Sequence, residues 1–142
     1  MPGRLAGIKI VIVDDDEDIL AAIDAALGAE GAITRGTSNG NDAIAAVGQE
    51  KPDVVVLDMM LPGRSGFLVL EKIKGEADSP AVLMLTANAG KRHQAYAESL
   101  GVDAYLLKPA PLDKIVDVCQ QLATTRRQEA QPAGKEGKGK KK

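Results

Sequence analysis

Short apolar runs alternate with amphipathic stretches five times between residues 8 and 125, and this alternation constrains the fold more than any other feature. Three of the runs are continuously apolar, as expected for strands that are buried on both faces. Repeated strand–helix units with right-handed crossovers form a doubly wound, open parallel sheet that carries helices on both faces. The predicted strands are Lys9–Val13, Ile33–Thr37, Val54–Leu57, Ala81–Leu85 and Ala104–Leu107.

The stretches between the strands carry apolar residues at helical spacing. The first helix is predicted to have Asp16 or Asp18 as its N-cap, with Gly31 beyond its end. The stretch from Lys91 to Leu100 has the weakest apolar stripe, which fits a solvated helix and also a mobile or partner-facing one. The apolar positions of the other helices are Ile19, Leu20, Ile23 and Leu27; Ala43, Ile44 and Val47; Phe67, Leu70 and Ile73; and Leu112, Ile115, Val116, Cys119 and Leu122.

Length and composition predict one domain with an aliphatic core, because 142 residues suffice for a single core and aromatic residues make up only 2% of them. Cys119 is the single cysteine, which excludes an intramolecular disulfide and a thiolate metal site. Its place on the apolar stripe of the last helix predicts a buried, inert thiol. Without a signal-peptide core or a membrane span, the sequence predicts a cytoplasmic protein.

Charge is distributed unevenly along the chain. Residues 126–142 hold seven basic and two acidic residues, which leaves a net charge of −7 on residues 1–125. We therefore predict an N-terminal leader over 1–7, an acidic domain over 8–125 and a disordered tail rich in Lys and Gly over 126–142. Nucleic-acid binding by the acidic domain is disfavoured. The sequence leaves open whether the tail contacts a membrane, a nucleic acid or nothing.

Polar residues follow the predicted strands at the points where these end. Asp14–Asp18 follow the first strand and Asp58 the third, while Thr86 and Lys108 follow the fourth and fifth. Ligands bind at the carboxyl ends of the strands in such sheets, so these side chains should converge. Clustered carboxylates persist when a hard cation neutralises them, and an all-oxygen ligand set favours Mg²⁺. Residues 16–18 are also explained by ordinary helix capping.

This set of groups suits phosphoryl transfer. An aspartate serves as nucleophile, a metal and a lysine neutralise the phosphoryl oxygens, and a hydroxyl donates a hydrogen bond to one of them. Asp58 is the strongest candidate nucleophile because it follows four apolar residues, where a charge requires a reason.

At this point the chain resembles the receiver domains of bacterial response regulators over about residues 8–124. The resemblance depends on four segments, and together they are highly specific. They are Ile-Val-Ile-Val-Asp-Asp-Asp-Glu-Asp at 10–18, Pro-Asp-Val-Val-Val-Leu-Asp-Met-Met-Leu-Pro-Gly-Arg-Ser-Gly at 52–66, Met-Leu-Thr-Ala at 84–87 and Ala-Tyr-Leu-Leu-Lys-Pro at 104–109.

The resemblance implies a flavodoxin-like strand order of 2-1-3-4-5, which is the order found in the chemotaxis response regulator, a member of this family. It also implies a role for each matching residue. Asp58 accepts the phosphoryl group; Asp15 and Asp58 bind Mg²⁺ directly, Asp14 acts through water, and Met60 contributes its backbone carbonyl. Lys108 contacts the phosphoryl group, Thr86 moves toward it, and Tyr105 reorients. Met60 and Asn88 occupy the two positions that tune phosphate lifetime.

As a function, the resemblance implies a stand-alone receiver that takes phosphate from a histidine kinase or a phosphotransfer protein. It would promote only its own phosphorylation and dephosphorylation, so it is not predicted to be an enzyme in the usual sense. Its output would be protein contacts through the surface of the fourth helix, fifth strand and fifth helix. Phosphorylation-dependent homodimerisation is left open, and no DNA-binding domain or membrane span is predicted.

Two alternative functions remain at this stage. A receiver-like scaffold would bind partners without phosphate. A haloacid-dehalogenase-like phosphohydrolase would use Asp14 and Asp16 as its Asp-x-Asp pair. That class needs another acidic pair at a strand end after the lysine, whereas the only aspartates that follow Lys108 here are Asp113 and Asp117, on the predicted last helix. It also gives Asp58 no role.

Overall fold

The computed structural model describes residues 3–62, 64–87 and 90–130. Five parallel strands form one sheet in the order β2-β1-β3-β4-β5, which confirms the predicted α/β class and the order implied by the resemblance. The strands are β1 (Lys9–Val13), β2 (Ile33–Thr37), β3 (Val54–Leu57), β4 (Ala81–Thr86) and β5 (Ala104–Leu107). The helices are α1 (Glu17–Ala29), α2 (Gly40–Glu50), α3 (Gly66–Lys74), α4 (Lys91–Ser99) and α5 (Leu112–Ala130).

Each face of the sheet buries its own aliphatic cluster. On one face, α1 and α5 pack Ile23, Leu27 and Cys119 against β1, β3 and β4. On the other, α2, α3 and α4 supply a second set that includes Ala46 and Leu70. Successive residues of a strand point to opposite faces, so the central strands fill both clusters and are apolar except for Lys9 at the start of β1 and Thr86 at the end of β4. The predicted inert thiol is confirmed, because Cys119 is 0% exposed and burial raises its pKa to about 12.

Local signals define both ends of helix α1. Asp16 caps α1 by accepting hydrogen bonds from the backbone N–H groups of Asp18 and Ile19. Of the two predicted N-cap residues, Asp16 is therefore the one that the fold uses. Gly31 follows with a φ of +93°, a conformation that favours glycine.

The structure differs from the predicted boundaries at both ends of the domain. Helix α5 continues to Ala130, five residues beyond the predicted end at 125, because Arg126 and Arg127 bind Asp53 ahead of β3 with N–O distances between 2.9 and 3.3 Å. At the other end, Leu5 lies in the predicted leader yet is 0% exposed. The rest of the predicted tail, residues 131–142, and residues 1–2 of the leader lie outside the described residues.

No helix in the described part of the chain is long and apolar enough to cross a membrane.

Candidate functional site

The carboxyl ends of four parallel strands meet at one edge of the sheet, and backbone hydrogen bonds fix their relative positions. The Asp58 N–H donates to Val13 O at 3.0 Å, which ties the end of β3 to the end of β1. The Lys108 N–H donates to Thr86 O at 2.8 Å, which ties the residue after β5 to the end of β4. The polar residues that the sequence places at strand ends are therefore neighbours in the fold.

A partly buried lysine links two aspartates at this edge. The Nζ of Lys108 lies 2.6 Å from Asp14 Oδ2 and 3.2 Å from Asp58 Oδ2. Asp14 and Asp58 are 2% and 6% exposed, so the ion pairs are largely screened from water. The other oxygen of Asp14 accepts a hydrogen bond of 2.9 Å from the Asp16 N–H. One ammonium thus balances two buried carboxylates, and a net negative charge remains.

Electrostatics at the site make Asp58 unusual. Burial raises the pKa of Asp58, and the charge of Asp14 acts in the same direction, whereas Lys108 and the Met60 N–H oppose the shift. For Lys108, burial disfavours the ammonium, but the hydrogen bond to Asp14 and the charge of Asp58 outweigh it and raise the pKa. The site therefore holds a charged lysine beside a carboxylate whose negative charge is costly until a positive group approaches.

Three carboxylates could hold a metal ion. One oxygen from each of Asp14, Asp15 and Asp58 lies within 4.8 Å of the other two. Asp15 is exposed while the other two are buried, so the cluster opens to solvent on one side. Three negative charges against one lysine, with oxygen donors only, match the ligand preference of Mg²⁺.

The residues predicted to tune phosphate lifetime are placed only in part. Met60 follows the acceptor by two residues, its N–H donates to Asp58 Oδ1 at 3.3 Å, and its side chain is 67% exposed. Its thioether chain therefore stands at the mouth of the site. Asn88 lies outside the described residues.

Thr86 and Tyr105 occupy the strands next to the acceptor. Thr86 is 0% exposed and lies within β4, which extends one residue further than predicted because its backbone continues the ladder to Leu107. Tyr105 faces Met84 in the register of β4 and β5 and packs against the cluster on the α4 side. Tyr105 is half-buried, and burial raises its pKa.

The loop after Asp58 is held by two close approaches that the sequence did not reveal. A Cβ on Gly66 would lie 2.3 Å from Asp58 O, and a Cβ on Gly40 would lie 2.4 Å from Arg64 O. The Nε of Arg64 also donates to Asn41 Oδ1 at 3.1 Å, so this loop is joined to the start of α2. Gly66 belongs to a motif segment, but the partners at positions 40 and 41 are distant in sequence and carry no local signal.

Comparisons with known proteins agree with this geometry. The family model of the response regulator receiver domain matches residues 10–120. A CheY-like receiver domain protein from Methanospirillum hungatei has the same fold, with a TM-score of 0.83 at 24% identity over 87% of this chain and 98% of its own.

Two further structures are somewhat closer in sequence. The BeF3-activated N-terminal receiver domain of RstA from Klebsiella pneumoniae has a TM-score of 0.76 at 28% identity over 81% of this chain and 97% of its own. NtrX from Brucella abortus, solved with ATP, has a TM-score of 0.79 at 27% identity over 86% of this chain, which corresponds to 28% of NtrX. Both the motif segments and the fold are therefore matched, and the chain belongs to the response regulator receiver domain family of phosphoryl-accepting signalling domains.

Proposed function

We propose that this chain is a receiver that accepts a phosphoryl group on Asp58 from the phosphohistidine of a histidine kinase or a phosphotransfer protein. The observation that carries the proposal is the buried Asp58 carboxylate at the end of β3, 3.2 Å from Lys108 Nζ and beside Asp14 and Asp15. Receiver domains interact with such donors and bind Mg²⁺ at an acidic pocket, and the family match extends both properties to this chain as expectations.

The transfer step needs little covalent chemistry from the protein. A carboxylate oxygen of Asp58 attacks phosphorus, the bond from phosphorus to the histidine nitrogen breaks, and its electron pair returns to the imidazole. The product is an acyl phosphate on Asp58. Lys108 is placed to neutralise oxygens of the incoming group, and an ordered positive charge of this kind is the main catalytic device in phosphoryl transfer.

The donor set fits Mg²⁺, because three carboxylates with one lysine leave a negative site made of hard oxygen ligands. Asp15, Asp58 and the Met60 carbonyl would bind the ion directly, and Asp14 would act through water. When bound, Mg²⁺ neutralises charge on the phosphoryl oxygens. Asp14 has a second task, which is to hold Lys108 at 2.6 Å in the resting site.

The proposed switch follows from differential affinity. The phosphoryl group must interact better with a state in which Thr86 lies toward it than with the resting state, and otherwise no signal results. A hydrogen bond from Thr86 to a charged oxygen is worth about 2 kcal/mol. That energy shifts a two-state equilibrium about thirtyfold. Tyr105, on the neighbouring strand, would reorient with Thr86.

The proposed output surface comprises α4, β5 and α5. Leu107 and Leu112 are exposed there by 47% and 42%, so apolar contact area is available to a protein target. This surface would bind a downstream protein or, after phosphorylation, a second copy of the chain. The cytoplasmic location remains a prediction.

The two alternatives can be weighed against the same geometry. In the phosphohydrolase, Asp16 would be the second member of the Asp-x-Asp pair, but here its carboxylate accepts two backbone hydrogen bonds as the cap of α1. Asp113 and Asp117 belong to α5 rather than to a strand end. The phosphate-independent scaffold gives no reason to bury Asp58 beside Asp14, an arrangement that raises the cost of its charge.

Intact mass after incubation with acetyl phosphate tests the proposed function. We expect a single phosphoryl adduct that requires Mg²⁺ and is absent from Asp58→Asn. No adduct and no Mg²⁺ binding would support the scaffold instead. Rapid release of inorganic phosphate that survives Asp58→Asn would support the hydrolase.

The lifetime of the adduct gives a second test, at Met60. A methionine side chain cannot orient an attacking water, so we predict slow loss of phosphate. Loss should be about tenfold faster in Met60→Asn, because an amide can form a hydrogen bond with the attacking water. Met60→Leu is the matched control and should keep the slow rate. The lifetime assignment is wrong if the asparagine variant hydrolyses no faster than wild type.

A further inference from the structure

The outer edge of β2 offers unpaired backbone groups. Within the parts of the chain that the structure describes, β2 pairs with β1 alone, so its other edge has no neighbouring strand. The Ile33 N–H donates to Ile8 O at 2.8 Å, and Thr37 O accepts from the Asp14 N–H at 3.1 Å. Alternate residues of a parallel strand bond to the same neighbour, so the backbone groups of Thr34 and Gly36 point to the free edge.

An open groove of about 570 Å³ runs along this edge between α1 and α2. Its apolar wall is formed by Leu20, Ala21 and Ala45. Gly36 lines the groove and is exposed, and Leu20 lies 3.1 Å from the position that a Cβ would take there, on the face of the sheet rather than at its edge. An extended chain could therefore approach to hydrogen-bonding distance, as strands do when they add to the edge of a sheet.

The groove is acidic. Glu17, Asp24 and Asp42 line it, and among the described residues no lysine or arginine forms an ion pair with any of the three. The only basic residue in the lining is Arg35, whose Nη1 is bonded to Gln49 Oε1 at 2.7 Å and to Glu50 Oε2 at 3.0 Å. The groove thus presents uncompensated negative charge beside unpaired backbone groups.

The wall of the groove also contains a residue with an unpaired buried hydroxyl. Thr37 is only 8% exposed, and its hydroxyl is the one buried side-chain polar atom in the described residues without a hydrogen-bond partner. A buried polar group of this kind costs about 1–3 kcal/mol unless something satisfies it. A second copy of this chain would not suit the edge, because it would bring the same acids against these ones.

We propose that the outer edge of β2 binds an extended, lysine- or arginine-rich segment of a partner protein, which adds to the sheet as a sixth strand. Backbone groups of the segment pair with Thr34 and Gly36, and its basic side chains bind Glu17, Asp24 and Asp42. The groove lining does not include Asp58 or Lys108, so the proposed binding uses none of the groups that would contact the phosphoryl group. This interaction goes beyond the proposed phosphoryl acceptance and does not depend on it.

The test is amide NMR of the full chain titrated with the peptide Thr-Lys-Val-Lys-Thr-Lys-Val. We expect shifts at Thr34 and Gly36 and amide exchange slowed by about tenfold or more at Gly36, because a new backbone hydrogen bond protects its N–H. The same peptide with proline in place of both valines should fail to protect Gly36. A peptide with glutamate in place of lysine should not bind.

A pair of matched double variants separates this site from general attraction to an acidic protein. Glu17→Gln with Asp24→Asn should weaken binding of the lysine peptide about tenfold, since two partly screened charge contacts are lost. Glu71→Gln with Glu76→Gln removes the same charge from exposed positions of α3 and the turn after it, and should change affinity little.

Equal weakening by both pairs, or binding without protection of Gly36, would overturn the proposal in favour of nonspecific charge attraction. Protection of Gly36 in the free chain would also overturn it. If that protection rises with protein concentration, the occupant is a second copy. If it does not, the occupant is the chain's own lysine-rich end, residues 131–142.

Discussion

The two sides of the sheet around the acceptor differ sharply in how deeply their elements are buried. All four residues of β3 are buried, and α3 buries Gly66, Val69, Leu70 and Ile73. By contrast, α4 buries only Ala97, and none of the four residues of β5 is fully buried. The site therefore lies between a firmly packed half, comprising β1, β3 and α3, and a thinly packed half, comprising α4 and β5. The first provides the carboxylates, and Lys108 directly follows the second.

This difference separates chemistry from response. A nucleophile and its metal ligands need fixed positions, and deep packing of β1 and β3 provides them. An element that must rearrange needs a small free-energy gap between two arrangements, which few buried contacts permit. The sequence predicts the weakest apolar stripe for α4, and the single buried residue of this helix fits that expectation. The solvated and partner-facing interpretations of that helix remain open.

The largest expected effect comes from crowding the firmly packed half at Gly66. Gly66→Ala would place a Cβ 2.3 Å from Asp58 O and 2.6 Å from Met59 Cα, both backbone atoms that cannot move aside cheaply. We expect the free energy of unfolding to fall by about 1–3 kcal/mol. We also expect phosphorylation by acetyl phosphate to slow at least about tenfold, because Asp58 is displaced.

Gly48→Ala is the matched control for that substitution. Gly48 lies in α2, and a Cβ added there would have nothing within 4 Å, so alanine should stabilise the fold by about 0.5–1 kcal/mol and leave phosphorylation unchanged. Urea denaturation measures both variants. A fully active Gly66→Ala protein would break the link between tight packing and the position of Asp58.

A smaller effect is expected at Asp53, which anchors the end of α5 to the firmly packed half. Burial raises the pKa of Asp53, but hydrogen bonds from Arg127 and from the Lys9 N–H outweigh it, and the pKa is lowered overall. A lowered pKa in the folded state means that Asp53 stabilises the fold above its unfolded pKa of about 3.8 and loses this effect as pH falls through the folded value.

Asp53→Asn should therefore lower the free energy of unfolding by about 1–2 kcal/mol at pH 7, and the difference from wild type should shrink toward pH 3. Asp78→Asn is the control, since Asp78 is exposed and takes part in this network only through its backbone carbonyl. A deficit at Asp53 that is constant with pH would show that the carboxylate charge is not the cause.

The smallest effect is expected in the thinly packed half, at an aromatic cluster of Phe67, His93 and Tyr96 that joins α3 to α4. Phe67 stacks on His93 at 6.0 Å and meets the edge of Tyr96 at 4.9 Å between ring centroids. Tyr96→Ala should cost about 0.5–1.5 kcal/mol. Hydrogen exchange should speed up in α4 while the amides of β1 and β3 keep their rates.

Tyr96→Phe retains the ring and should behave as wild type. If Tyr96→Ala instead accelerated exchange across all five strands, α4 would belong to the same cooperative unit as β3, and the contrast between the two halves would disappear.

The sequence is a good guide wherever one residue's neighbours along the chain decide its environment. Continuous apolar runs locate the central strands β1, β3 and β4, because a strand buried on both faces must be mostly apolar. Four candidate site residues each directly follow a predicted strand, and these are Asp14, Asp58, Thr86 and Lys108. Parallel topology brings such ends together, so the convergence of these residues follows from the fold class alone.

The sequence is a poor guide where the deciding contact is distant. Helix α5 continues to Ala130 because Arg126 and Arg127 donate hydrogen bonds to Asp53. Composition alone suggests that the folded domain ends at residue 125. The same holds for Gly40, whose close approach to Arg64 joins the start of α2 to the loop after β3, far apart in sequence. Long-range pairing of polar side chains leaves no periodic signal, so it becomes visible only in three dimensions.

Hydrogen exchange of the full chain with Mg²⁺, before and after phosphorylation by acetyl phosphate, tests the division between chemistry and response most directly. We predict that the largest changes fall in α4 and β5 and that β1 and β3 change little. Asp58→Asn, treated in the same way, should show no change in any of these elements. Changes confined to β1 and β3, or a phosphorylated chain whose α4 and β5 exchange as before, would contradict the proposed switch.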